Sequence, residues 1–161
     1  MRVLVAAVFT ALLTSSASAQ WVYQGEESAF GGSGTHLALV GDFLYAFGLR
    51  CDNSDLVTVF ITPEKVTNDE ASVFLLANPK TLLRVDSNPP MTLDAIADSA
   101  NGKLRVTSVV DRDLAEQVMN AKKRVAVAIE MAGQRFHEKS FTVRGSTNAV
   151  KKLLAACSVD D

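Results

Sequence analysis

The sequence predicts an α+β domain: mainly antiparallel β-sheet, sandwich-like, with two amphipathic helices, one of them C-terminal, closed by one disulfide. Three observations predict it. Short β-branched and aromatic runs recur between turns rich in Gly, Asn, Asp and Pro, the rhythm of antiparallel hairpins. Helical periodicity is clear in two places, from Asp111 to Lys122 and after Ser146. The chain has two cysteines, Cys51 at the end of an apolar strand and Cys157 on the apolar face of the last helix.

The first element is an address. Met1-Arg2 is a short positive region, Val3 to Leu13 is apolar apart from Thr10, and Ala17-Ser18-Ala19 fits the small-residue cleavage rule. Residues 1–19 therefore read as a signal peptide and residues 20–161 as a single periplasmic or secreted domain. A membrane anchor is disfavoured, because spanning needs about 20 apolar residues, and no membrane span is expected after cleavage. No cysteine follows the cleavage site to take a lipid, and no twin-arginine pair is present, so export is expected to be of the unfolded chain. Sixteen basic and 18 acidic residues give a net charge of −2, which loss of Arg2 takes to −3. That balance leaves no basic footprint for nucleic acid.

Trp21, the sole tryptophan, reads as part of a tied-down edge strand. Gly31-Gly32-Ser33-Gly34 lacks the Gly-Lys-Ser/Thr ending of a phosphate loop and reads as an ordinary loop. His36 to Val40, Phe43 to Cys51 and Leu56 to Thr62 read as a three-strand meander. Phe43, Tyr45, Phe47 and Leu49 share one face of its second strand, Val57, Val59 and Ile61 one face of its third, and Pro63 ends it. Thr67-Asn68-Asp69-Glu70 has the form of a capping box, yet residues 70–77 fit a helix or a strand equally. Thr81 to Asp86 is a strand with Arg84 and Asp86 on one face. Met91 to Ala97 is another, and Asn101-Gly102 turns it into Leu104 to Val110.

Asp111 caps the helix to Lys122. Arg124 to Met131 and Arg135 to Arg144 are paired strands, and Phe136 falls out of phase with Phe141 and Val143, which implies a bulge. Ser146 is expected to cap the last helix. Its apolar face is Val150, Leu153, Leu154 and Cys157, so the thiol points at the core, where Cys51 ends a core strand. In an exported chain two such cysteines read as a disulfide rather than as two reduced, buried thiols. Closing their 106-residue separation is worth roughly 4–5 kcal/mol in the chain-entropy account.

From Leu44 to Cys157 the order of motifs resembles the periplasmic accessory proteins of type VI secretion, of the VasI/TagO kind. The resemblance is carried by Leu49-Arg50-Cys51, the strand Leu56 to Thr62, Arg84-Val85-Asp86, the turn Ser99 to Gly102, Phe141 to Gly145 and the cysteine-ended helix Ala149 to Cys157. The family's tryptophan before the Ser-Asn turn is replaced by Asp94-Ala95-Ile96-Ala97. The C-terminal half is more loosely similar to the invasion-associated locus B proteins of host-associated bacteria, which carry more cysteines. The resemblance implies a shared fold and a secretion-associated role, and transfers no active-site residue.

The chain's own chemistry points the same way. His36 and His137 lie in no metal-ligand spacing, and both read as strand residues. Asp52-Asn53-Ser54-Asp55 offers calcium-friendly oxygens without the length or terminal Glu of an EF-hand. No Gly-x-Ser-x-Gly elbow occurs. Phe43, Tyr45 and Phe47 read as core packing before they read as a ligand groove. No catalytic residue, cofactor or metal is therefore expected, and Arg84 with Asp86 forms the candidate partner patch. The expected function is a non-catalytic exported binding or assembly protein of the bacterial cell envelope, meeting an envelope protein or a peptidoglycan-related partner. Two alternatives stand beside it: an inhibitor or immunity-like protein against an envelope-degrading enzyme such as lysozyme, and a hydrolase with a scattered site.

Overall fold

The computed structural model describes residues 19–26, 34–52 and 55–157. The leader up to residue 18, the glycine-rich stretch 27–33 and Asn53-Ser54 of the candidate calcium turn lie outside the described residues. Among the described residues ten strands form two antiparallel sheets, and no described helix is long and apolar enough to cross a membrane.

The larger sheet holds β1 (Val22–Glu26), β2 (Thr35–Gly41), β3 (Ala46–Asp52), β4 (Asp55–Lys65), β8 (Lys103–Val109) and β7 (Ile96–Ala100), in that spatial order. The smaller holds β10 (Gln134–Thr142), β9 (Arg124–Met131), β5 (Lys80–Val85) and β6 (Met91–Asp94). Among the described residues there are three helices, α1 (Asn68–Leu76), α2 (Arg112–Asn120) and α3 (Ser146–Ala156), of which α2 and α3 are the two amphipathic helices the sequence predicts. The open choice at residues 70–77 falls to helix through Leu76. Thr67 Oγ1 accepts from the Glu70 amide while Glu70 accepts from the Thr67 amide, a complete capping box.

The core lies between the sheets and under α3. Alternation places Leu49, Phe60, Leu104 and Val106 inward from the larger sheet, and Leu83, Val85, Val127 and Phe141 inward from the smaller. Aromatic rings link the layers. Phe141 stacks on Phe47 at 5.9 Å and meets Phe60 edge-on at 6.3 Å, while Trp21 meets Phe47 edge-on at 6.0 Å. Trp21 is buried, and its indole N–H donates to the Thr142 carbonyl at 2.7 Å, tying the first strand to the small sheet. One polar bridge crosses the core, Ser108 Oγ to Thr81 Oγ1 at 2.8 Å. α3 buries Ala149, Val150, Leu153 and Leu154, and Cys157 at its end is bonded to Cys51, with Cα atoms 5.9 Å apart.

Five details depart from the sequence reading. Phe43 does not share the strand face; it is 94% exposed in a turn. Asp42 Oδ1 accepts the amides of Leu44 and Tyr45 there and delays the strand to Ala46. Pro63 does not end its strand. β4 continues to Lys65, and the register shift between Ile61 and Lys65 spares the proline a ladder bond. Met91 to Ala97 is two strands, because the chain leaves the small sheet at Ala95 and enters the large one as β7. The last helix starts from Gly145, with no side-chain cap; Ser146 is already helical and buried. Arg84 and Asp86 also part company, as described below. The expected bulge is present, as a register shift in β10 between Phe136 and Lys139.

Candidate functional site

The bulge in β10 shapes the outward face of the small sheet. His137 sits there at φ 51°, in the left-handed region. The extra residue lets Arg135 and Glu138 project to the same side, where their side chains pair at 3.6 Å. The next strand, β9, alternates large and small. Val125, Val127 and Ile129 belong to the core, and Ala126 and Ala128 alternate to the other face, where Ala126 is half-buried and Ala128 is covered by its neighbours to 3% exposure. Beyond it, β5 sets Leu82 opposite Ala128 and Arg84 opposite Ala126. Small residues between taller neighbours leave a groove along β9 of about 250 Å³, lined by Leu82, Arg84, Ala126, Ala128, Arg135 and Glu138, with Pro90 at its end.

Arg84 is exposed on the groove's β5 wall. Its Nε donates to the Asn88 carbonyl at 2.9 Å, which orients the stem. Its two terminal nitrogens have no partner among the described residues. The nearby charges do have partners: Lys80 pairs with Asp94 across the strands, and Arg135 with Glu138. A guanidinium held by its Nε above an alanine floor can accept a planar anion on its open edge.

A second depression, about 480 Å³, lies between β5 and α2 and is lined by Asp86, Asn88, Asp113, Glu116, Gln117 and Asn120. It is larger, but the chain itself already uses much of its polarity. Glu116 accepts from Arg112 at 3.1 Å and Gln117 from Asn88 at 3.2 Å. Asp86 does not continue the strand face of Arg84. β5 ends at Val85, and Asp86 turns away at φ 53°. Its carboxylate accepts the backbone amides of Lys122, Lys123 and Arg124 at 2.7, 2.7 and 3.0 Å. Those bonds, Lys122 first, hold its pKa below the usual carboxylate value. Arg84 and Asp86 thus line different depressions, and Asp86 anchors the entry to β9. Among the described residues, neither depression is lined by a serine, cysteine or histidine.

Each histidine has a tyrosine partner. Tyr23 Oη lies 2.9 Å from His36 Nδ1, with the rings stacked. Tyr45 Oη lies 3.4 Å from His137 Nδ1, and His137 Nε2 lies 4.0 Å from Glu64. Lys139, next to this group, pairs with Asp42 and lies over the Tyr45 ring at 5.3 Å. The Lys139 ammonium first, then the Tyr45 amide, lower Asp42 to about 2. This polar seam joins β10 to the large sheet. His137, which the sequence reads as a strand residue, sits at the bulge, which sends Glu138 to the groove and His137 to the seam. The groove's signal was present in the alternation Val125-Ala126-Val127-Ala128-Ile129, where every second residue is small.

Comparison with known proteins bears on the fold. No family model matches the chain. No curated protein matches it in sequence. Among solved structures, the chain is similar to invasion-associated protein B from Bartonella henselae, at 13% identity with a TM-score of 0.55, covering 86% of this chain and 94% of that one. A protein of unknown function from Burkholderia pseudomallei aligns at 14% identity with a TM-score of 0.35, over 63% of this chain and 57% of that one. At the level of fold, the first match agrees with the looser of the two resemblances read from the sequence, the one to invasion-associated proteins. The fold shown is a two-sheet antiparallel α+β sandwich with three helices and a disulfide-closed C-terminal helix.

Proposed function

We propose that this chain is a non-catalytic, exported binding or assembly protein of the bacterial cell envelope, and that it meets its partner through the outward groove of the small sheet. The observation that carries the reading is the open edge of Arg84 above the Ala126–Ala128 floor, a recognition geometry with no nucleophile in reach. The leader-like residues 1–19 and the Cys51–Cys157 disulfide support an oxidising compartment, periplasmic or extracellular. A secretion-associated version, in the manner of the VasI/TagO proteins, rests on the motif order from Leu44 to Cys157.

The test is site-specific photo-crosslinking in cells that carry the chain naturally. A photoreactive residue at Thr92, exposed and opposite Leu82 on the groove face, should give a dominant adduct with an envelope component. The same residue at Lys151, on the exposed side of α3, should not. Equal adducts from both positions, or a dominant cytoplasmic one, would contradict the proposal.

The inhibitor alternative is favoured by the acidic depression at Asp113 and Glu116, which suits a basic envelope-degrading enzyme such as lysozyme. Under that reading the chain slows lysozyme in a cell-wall clearing assay, and Asp113→Asn with Glu116→Gln relieves the block. Unimpeded lysozyme at excess chain would remove it.

A further inference from the structure

With residues 1–19 removed as a leader, the chain begins at Gln20. Immediately behind it the chain is pinned. Trp21 is buried, its amide donates to the Arg144 carbonyl at 2.9 Å, and its indole donates to the Thr142 carbonyl at 2.7 Å. Gln20 itself is exposed. It lies beside Gly145, the residue from which α3 starts. A Cβ built on Gly145 would stand 3.0 Å from Gln20 Cγ and 3.3 Å from Gln20 Nε2. This start of α3 has no side-chain cap and no acidic residue in its first turn. A helix start carries partial positive charge, so it favours a neutral neighbour over a cation. A protonated terminal amine is therefore a poor group to hold there.

We infer that Gln20 is a modification site: once the leader is removed, its α-amine closes on its own side-chain carbonyl, and the chain begins with a neutral pyroglutamyl ring. The amine nitrogen bonds to Cδ, the Cδ–Nε2 bond breaks, and ammonia leaves with one proton taken from the amine. Nucleophile and carbonyl belong to one residue, so closure is unimolecular and needs no oxidant, reductant or second substrate. The product suits its place. Blocking the terminus removes its charge beside the helix start. The ring also keeps a carbonyl oxygen, an acceptor of the kind the uncapped first turn of α3 lacks. It removes the free amine that aminopeptidases require, which shields β1, the edge strand of the large sheet that begins at Val22. The inference rests on the export reading, since only leader removal frees this amine.

The experiment is an intact mass, measured without reductant, of the chain recovered from the envelope or medium of cells that carry it naturally. The mass should be that of residues 20–161, less two hydrogens for the Cys51–Cys157 bond and less one ammonia for Gln20. Direct N-terminal sequencing should fail. After pyroglutamyl aminopeptidase treatment of the denatured chain it should read from Trp21. A chain of residues 20–161 that keeps its ammonia through prolonged incubation at neutral pH would overturn the modification and leave the export reading in place. A chain cut at a different residue would likewise overturn the site alone. A chain that still carries residues 1–19 would overturn both. The local consequence is read by amide exchange at about pH 6, where a free α-amine is protonated. Thr147 and Asn148, in the first turn of α3, should exchange about two- to fivefold more slowly in the cyclised chain than in Gln20→Ala, which keeps its amine. Added salt should shrink that ratio. Equal exchange at low salt, or a ratio indifferent to salt, would overturn the role of the neutral ring at α3.

Discussion

Removing the disulfide should cost this domain much of its stability while leaving its folded shape in place. The perturbation is Cys51→Ala with Cys157→Ala. The bond spans 106 residues and fastens the end of α3 to β3. For a loop of that size the chain-entropy account gives about 4.8 kcal/mol at 25 °C. That is a large share of the 5–15 kcal/mol typical of a domain. The folded state keeps its other reasons to hold α3. Ala149, Val150, Leu153 and Leu154 remain buried, and the Cys157 amide still bonds the Leu153 carbonyl. The assay is equilibrium urea unfolding followed by the fluorescence of Trp21, the sole tryptophan and 2% exposed. With a slope near 2 kcal/mol per molar, the midpoint should fall by about 2 M, and the emission maximum of the folded state should not move. A loss under about 1 kcal/mol would refute the reasoning. So would a red-shifted folded spectrum, because α3 would then depend on the bond for docking.

Three further outcomes follow from the packing. Gly48→Ala would place a methyl 2.5 Å from the Ala38 carbonyl oxygen and 3.1 Å from Leu39 Cα, both backbone of the neighbouring strand. It should destabilise by about 1–3 kcal/mol in thermal unfolding, and an unchanged midpoint would argue against the β2–β3 register. Asp42 is lowered from 3.8 to about 2, so its contribution is fully present above about pH 4 and is lost as pH falls through 2. Its side chain is 38% exposed, so screening reduces that contribution to about 1 kcal/mol; Asp42→Asn should show this deficit at pH 6 and little of it near pH 2. Asp86→Ala should speed hydrogen exchange at Lys122, Lys123 and Arg124, the three amides its carboxylate holds. Because the Asp86 pKa is lowered, acid should mimic the substitution, and exchange that is unchanged in the variant would count against the anchoring role.

Much of the fold was legible because it is written in local chemistry. The apolar spacing of α3 put Cys157 on the buried face, and the structure bonds it to Cys51. Asn101 and Gly102 both take positive φ in the turn between β7 and β8, as the dipeptide implies. What was not legible depends on partners distant in sequence. Met91 to Asp94 alternates, and the apolar run Ala95-Ile96-Ala97 then breaks the alternation where the chain changes sheets, but which sheet takes the second strand depends on pairing partners distant in sequence. Phe43 looks like a strand residue until Asp42 folds the turn back with its own carboxylate. The candidate site divides in the same way. Arg84 was visible, but the charged residues that share its groove are Arg135 and Glu138 rather than Asp86, and only the placement of the β10 bulge at His137 puts those two on one face.

The groove as a binding surface is tested most directly by filling it. Ala126→Leu should leave the Trp21 emission and the Cys51–Cys157 bond intact, since Ala126 points away from the core. In that background the photoreactive residue at Thr92 should lose its envelope adduct. An undiminished adduct from a correctly folded, groove-filled chain would contradict the account.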